Sequence, residues 1–430
     1  MAYLSEHKLK ELIKVTRGAS LSGHYFEEEG DLIRLTLGNF DYANGGFKLN
    51  TSKDNLYYSG PVADNFILNE GDIITPMTEQ TPGLLGSTAR IPESGKYIQS
   101  QDVGLVTCDE EMIDKDFCYY LLPSEIVKKQ LAAGAQQTKI RHTSPDKIEA
   151  CTVFIPKPNE QRKIGKLLST IDKLIELKRK ENALLESMAR QIYDYWFVQF
   201  DFPNKDGNPY KSSGGKMVWN EKLKRDIPDG WGVGLIKQFI QPIERGVSYS
   251  TQDIADNTGC PMINLACYTK KGDYRWGKLK FFTGEVKDCD KVLPYDMLVA
   301  CTDMTQGADI IGIPILVTEE YKWFVYSMDL AKITPIDIDK YYLYYSLRTP
   351  FYHNYIKPFA SGTNVKHLDI KGVENYMLVN PVENIQKCFG SIIAEIKKKQ
   401  MNTLNETNEL QSLRDYLLPL LMTGQVTIKD

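Results

Sequence analysis

One feature limits what this 430-residue chain can fold into: it contains its own second copy. Laid against itself at the separation of His142 from His367, "TKIRHTSPDKIEACTVFIP" (Thr138 to Pro156) falls on "TNVKHLDIKGVENYMLVNP" (Thr363 to Pro381) without a gap. Ile140 meets Val365, Arg141 meets Lys366, Glu149 meets Glu374 and Pro156 meets Pro381. The same offset runs on, pairing Gln161 with Gln386, Gly165 with Gly390, Ile171 with Ile396, Leu185 with Leu410 and Ile192 with Leu417. Upstream, with small gaps, "GDIITPMTEQTPG" (Gly71 to Gly83) resembles "YDMLVACTDMTQG" (Tyr295 to Gly307). Likewise "SQDVGLVTCDEEMIDKDFCYYLL" resembles "SMDLAKITPIDIDKYYLYYSL". A period this long means duplicated domains, because solenoid repeats run only about 20 to 50 residues.

Each copy has a globular part and then a long helix. The globular parts carry short β-rich runs, "LIRLTLGNF" and "VGLVTC" in one and "PMINLACY" and "IGIPILVT" in the other, punctuated by Gly, Asn, Asp and Pro at turn spacing. With 42% hydrophobic and 25% charged residues, the chain can bury more than one core. The expected class is α+β: two tandem mixed β/α domains separated by two long helices that pair as an antiparallel coiled coil with pseudo-twofold symmetry. The expected segments are 1–157 (first domain), 158–200 (central helix), 201–231 (linker and domain entry), 232–381 (second domain) and 382–430 (C-terminal helix and tail).

The helices follow from period. Ile164, Leu167, Ile171, Leu174, Leu185, Met188, Ile192 and Tyr195 fall in heptad a and d positions, interrupted by Lys178 and Glu181. Asn159 and Glu160 open this helix and Pro203 closes the region, giving about 38 residues and about 57 Å. The C-terminal track is Phe389, Ile392, Ile396, Leu410, Leu413 and Leu417, interrupted by Thr403 and Glu406. So polar a helix draws little stability from propensity, so each stripe needs a mate, and the other copy supplies one. The polar breaks are expected to meet near the middle and fix register at a cost in stability. The antiparallel arrangement, preferred over the parallel one, puts the globular parts at opposite ends of the pair. Tyr193, Tyr195, Trp196 and Phe197 end the first helix and are expected to pack on the partner helix's Leu-rich terminus or on a docked subunit.

There is no P-loop, G-x-S-x-G, H-E-x-x-H, paired C-x-x-C or N-P-P-[YF]. "DGWGVG" lacks dinucleotide-loop spacing, and "SPDK" (Ser144 to Lys147) lacks a second spaced acid, so both are read as turns. The eight cysteines form no spaced pair and are read as reduced core thiols. No run approaches a membrane span and the N-terminus has no apolar signal core, which favours the cytoplasm.

A net charge of -4 excludes a surface that binds nucleic acid everywhere and leaves room for local basic faces. Candidate DNA contacts in the first copy are Lys48, Lys53, Gln80, Arg90, Gln136, Gln137, Lys139, Arg141 and His142. Those in the second are Arg245, Lys270, Lys271, Arg275, Lys278, Gln306, Asn364, Lys366 and His367. Arg, Lys, Gln and Asn make the bidentate contacts that base edges accept, while flanking cations hold phosphates. For His142 and His367 the plainer alternative is a structural histidine before a strand.

The order of domain, "P-x-x-E-Q" with a long helix, "YWFVQFD", "IPDGW", second domain, second helix and "LLPLLMTGQV" resembles the specificity subunit of type I restriction-modification enzymes. The carrying segments are Pro156 to Pro203, Ile227 to Trp231 and Pro381 to Val426; the second copy departs with "NPVENIQ" in place of "PKPNEQR". The resemblance implies a non-catalytic subunit of an adenine-N6 DNA methyltransferase/endonuclease complex. Each domain would read one half of a bipartite target in double-stranded DNA, and the helices would set the spacer. Two methyltransferase subunits, carrying S-adenosylmethionine, would dock on the helices, and restriction subunits would join the full complex. The chain itself is expected to hold no cofactor and no metal. Two other classes stay open: a single-chain DNA-modifying enzyme, and a coiled-coil scaffold without DNA specificity.

Overall fold

A computed structural model describes residues 4–42, 45–51, 54–79, 83–134, 141–269 and 271–429. The chain divides into two compact units, Met1–Leu177 with Thr407–Asp430, and Lys178–Glu406. Each long helix is therefore shared, its two ends belonging to different units, and the sequence segments and the compact units do not coincide.

In the first unit a four-stranded antiparallel sheet runs in the order Ile13–Arg17, Val103–Cys108, Ile73–Pro76, Ala89–Arg90. In the second the order is Glu244–Arg245, Leu330–Ile333, Met297–Ala300, Pro314–Leu316. The same topology is thus built twice. The strands "IITP" and "MLVA" are buried at every position, so they lack the alternation of a half-exposed strand. Both are preceded by one left-handed residue, Gly71 (φ 80°) and Tyr295 (φ 66°). Glycine takes that conformation freely, whereas tyrosine gives up about 1 kcal/mol. The turn is held regardless, because Asp72 accepts from Asn69 N (2.8 Å) and Asp296 from Leu293 N (3.0 Å).

A second sheet flanks each first one, four-stranded in the first unit and five-stranded in the other. Two smaller pairings are also duplicated. Ser5–Lys8 pairs with Thr152–Ile155 and Gly232–Leu235 with Met377–Asn380, just before each long helix.

The joint between globular part and helix is the most faithful copy. Asp114 caps the helix Lys115–Leu121 by accepting from Phe117 N (2.9 Å), and Asp339 caps Lys340–Ser346 by accepting from Tyr341 N and Tyr342 N (both 2.9 Å). Each cap's own N–H donates to a buried glutamine on the long helix, Asp114 N to Gln161 Oε1 (2.9 Å) and Asp339 N to Gln386 Oε1 (2.8 Å). The amides reach back as well, Gln161 Nε2 donating to Pro156 O (2.9 Å) and Gln386 Nε2 to Pro381 O (2.6 Å). One turn later Gly165 and Gly390 let the cap approach the helix: a Cβ would stand 2.7 Å from Asp114 Oδ1 or 2.2 Å from Asp339 Oδ2.

The aromatic end of the central helix (Pro158–Tyr193, then a wider turn over Asp194–Val198) lies in the core of the second unit. Phe197 packs on Tyr342 (ring centroids 4.6 Å) and Phe389 (4.9 Å), and Phe202 on Trp231 (4.9 Å). This corrects the expected mate. The Leu-rich terminus, Leu417 to Met422, sits in the core of the first unit instead, because antiparallel pairing brings the start of the C-terminal helix (Glu383–Met422) to the aromatic end. Tyr195 is 40% exposed. The stretch expected as a linker is ordered: Phe200, Phe202, Ile227 and Trp231 are buried, and Asp201 accepts from Ser212 N (2.7 Å) and Ser212 Oγ (2.6 Å).

Gly165→Ala and Gly390→Ala should each lower stability by about 2 kcal/mol, since the cap must move off the helix. Gly134→Ala, with open space around its Cβ position, should be neutral or slightly stabilising. Equilibrium denaturant unfolding of the three variants checks this.

Candidate nucleic-acid interface

Where each candidate lies follows from the strands that carry it. Arg141–His142 forms a two-stranded ladder with Thr78–Glu79, Arg141 opposite Glu79 and His142 opposite Thr78. Its copy is Lys366–Leu368 against Thr302–Asp303, Lys366 opposite Asp303 and His367 opposite Thr302. Both histidines are exposed, while Arg141 and Lys366 are half-buried beside their acids. Each unit thus places a cation and a histidine side by side on one short strand.

The remaining candidates are scattered. Arg245 is exposed and donates from Nη1 to Met328 O (2.9 Å). Lys271, Arg275 and Lys278 are exposed around the turn bridged by Tyr268 and Tyr274, and Gln306, Asn364 and Lys48 are exposed on loops. Arg90 is engaged internally, paired with Asp116 (2.7 Å) and lying over the Tyr119 ring (4.4 Å). Lys53, Gln80, Gln136, Gln137, Lys139 and Lys270 lie outside the described residues. Sequence reasoning passed over Glu79 and Asp303; the signal was the Thr-acid dipeptide at matching places in the two copies.

The helix pair is the second candidate surface, and here the polar breaks meet as expected. Within the second unit Lys178 pairs with Glu406 (2.5 Å), Glu181 with Lys399 (2.9 Å) and Glu186 with Lys397 (2.6 Å). Rising numbers on one helix face falling numbers on the other, so the helices run antiparallel. The first unit has the same sense, with Ile164 and Leu168 in one core with Leu421 and Met422 and Asp172 bound to Arg414 (2.9 Å). Repeat-related tyrosines complete both pairs, Tyr120 Oη donating to Asp172 (2.6 Å) and Tyr345 Oη to Glu186 (3.3 Å).

The seam itself needs correction. Ile164, Ile171, Phe389 and Ile396 are buried, and Leu167, Leu185, Ile192, Ile392, Leu410 and Leu417 half-buried, but Leu174, Met188 and Leu413 are 41%, 52% and 46% exposed. Leu168, Ile175 and Ile393 are buried in their place. A straight helix repeats at 3.6 residues and not 3.5, and here the short helix of each globular part widens the covered face beyond a two-position stripe.

Among the described residues no group of three or more His, Cys, Asp or Glu is arranged to hold a metal, and no helix is long and apolar enough to cross a membrane. Cys118, Cys151, Cys267 and Cys301 are buried thiols, whereas Cys289 and Cys388 are exposed, outside the expected core.

Two copies of one mixed β/α unit, each locked to a long helix and presenting a short cation-histidine strand, define a duplicated two-unit architecture. Residues 4–187 match the family described as the type I restriction modification DNA specificity domain. The MjaIX type I restriction enzyme specificity subunit of Methanocaldococcus jannaschii is 23% identical over 325 residues, spanning 73% of this chain and 70% of that protein. The HindI specificity subunit of Haemophilus influenzae is 22% identical over 375 residues, spanning 77% and 81%. The crystal structure of a type I restriction-modification S subunit from M. genitalium shares the fold, with a TM-score of 0.59 and 16% identity over 98% of this chain and 96% of that one. In sequence and fold the chain is thus similar to specificity subunits of type I restriction-modification systems.

The buried charge pair makes a testable electrostatic prediction. Burial pushes the Glu186 carboxyl up, but contact with Lys397 and the nearby Arg348 and Arg190 outweigh it and hold the group at about 2. Depressed from its ordinary 4.5, this carboxyl contributes stability that is full above pH about 4.5 and is lost as pH falls toward about 2. Glu186→Gln should therefore flatten the acid limb of the stability-pH curve. Near pH 7 it should cost about 3 kcal/mol by leaving Lys397 without its counter-charge. Thermal unfolding across pH 2 to 7 checks both.

Proposed function

We propose that this chain is the non-catalytic DNA-specificity subunit of a type I restriction-modification complex, each unit reading one half of a bipartite double-stranded target. The observation that carries this is the duplication: two units with one strand order, one helix joint and one cation-histidine ladder apiece. Two similar reading heads suit a target in two parts, and two equivalent helix joints suit two copies of one partner. Cation-bearing strands supply phosphate and base-edge contacts.

On this reading the helix pair sets the gap between the half-sites and docks two methyltransferase subunits. Those subunits bind S-adenosylmethionine and methylate adenine at N6, and restriction subunits join the larger assembly. This chain contributes address and spacing, and its modest net negative charge is tolerable where partners share the contacts to phosphate.

With its methyltransferase subunit, the chain should confine methylated adenines in a host genome to one two-part motif of fixed gap, and deleting its gene should abolish that motif. Single-molecule sequencing of both strains reads this directly. An undivided motif, or methylation that survives the deletion, contradicts the proposal.

A further inference from the structure

Each unit buries a carboxylate directly opposite its cation-histidine strand. Glu79 is 2% exposed and Asp303 1%, and each ends the short strand that faces the cation-histidine strand. A buried carboxylate costs several kcal/mol unless its oxygens are satisfied. Here the backbone that follows satisfies them. Glu79 Oε2 accepts from Leu84 N (2.8 Å) and Leu85 N (3.1 Å), while Oε1 faces Arg141 Nη1 at 3.6 Å. Asp303 Oδ1 accepts from Thr305 N (2.7 Å) and Oδ2 from Ile310 N (2.8 Å), and the Thr305 hydroxyl accepts from Asp309 N (3.0 Å).

The loop after Asp303 is thereby closed on its own strand. It tolerates a left-handed alanine, Ala308 (φ 51°), a conformation that persists only where the surroundings impose it. Its apolar residues Ala308 and Ile310 point inward, while Met304 (77% exposed) and Gln306 point outward. Loop and strand form one fixed surface, because the carboxylate that closes the loop also terminates the strand facing Lys366 and His367. In the first unit Glu79 ties the described backbone at Leu84 and Leu85 to the strand facing Arg141 and His142.

We infer that Glu79 and Asp303 are positioning residues for DNA reading: Asp303 holds its loop, and Glu79 the backbone at Leu84 and Leu85, beside the cation-histidine strand in the geometry that recognises one half-site. This rests on the function proposed above. Base edges are discriminated by paired hydrogen bonds whose geometry fails with small displacements, so a loop that reads them must be fixed before DNA arrives. A carboxylate is an awkward neighbour for phosphates when exposed. Buried and neutralised by backbone N–H groups, it can fix a loop without repelling DNA.

The test uses the complete methyltransferase complex and a DNA library in which each half-site is varied in turn, with thermal unfolding run alongside. Asp303→Asn places an amide against one of the two N–H donors. It should cut discrimination between cognate and single-base-changed sequences about tenfold at one half-site only, leaving the other half-site and the gap unchanged. Glu79→Ala should do the same at the opposite half-site. Glu79→Gln keeps an oxygen for Leu84 and Leu85 and should retain most of the wild-type discrimination. The inference is overturned if assembled Asp303→Asn and Glu79→Ala complexes discriminate like wild type at both half-sites, or if each loses both half-sites together. Should one variant fail to assemble, the other decides. A wild-type complex without a two-part preference would instead overturn the underlying function.

Discussion

Everything in this protein hangs on a glutamine amide buried between a helix cap and a proline carbonyl. Gln161 and Gln386 each take the N–H of a capping aspartate and return a donor to the proline that follows the preceding strand. A buried amide left half-paired costs about 1–3 kcal/mol, so the geometry that satisfies both ends is strongly preferred over nearby alternatives. Gly165 and Gly390 enforce it sterically, because only a residue without Cβ lets the cap come this close. Each globular part is thereby fixed to its helix in angle and in depth, twice, by the same few atoms.

Pairing of the helices adds register to that rigidity. Apolar stripes alone tolerate sliding by a turn, whereas Lys178 with Glu406, Glu181 with Lys399 and Glu186 with Lys397 are matched in only one alignment. The outer pairs are screened by solvent and contribute little to stability. The inner one is largely buried, and breaking it is far more costly than its net contribution suggests. A polar seam of this kind gives up stability for a unique register.

Much of this was legible in the residues, and what was missed has identifiable causes. The repeat showed through because Gln161, Gly165 and Pro156 recur where the helix joint demands particular side chains. The mate of the aromatic cluster was misjudged because composition pointed to the Leu-rich terminus, while chain direction decides which end arrives. Leu174, Met188 and Leu413 fit a heptad and yet lie exposed, since the covered face is set by three packed elements and not two. Charge could not separate Arg90, engaged by Asp116, from Arg275 at the surface. Glu79 and Asp303 escaped because a buried acid is visible only once the N–H groups that satisfy it are in place.

On the function proposed above, each unit reads one half-site and the helix pair sets the gap between them. The direct measurement is to lengthen the helix pair: insert seven residues between Leu177 and Lys178 and seven between Glu406 and Thr407, the borders of the compact units. The gap between methylated adenines is then mapped with the cognate methyltransferase. The insertion adds about 10 Å of helix, so the gap should grow by about three base pairs with both half-sites intact. An unchanged gap, or altered half-sites, would contradict that function.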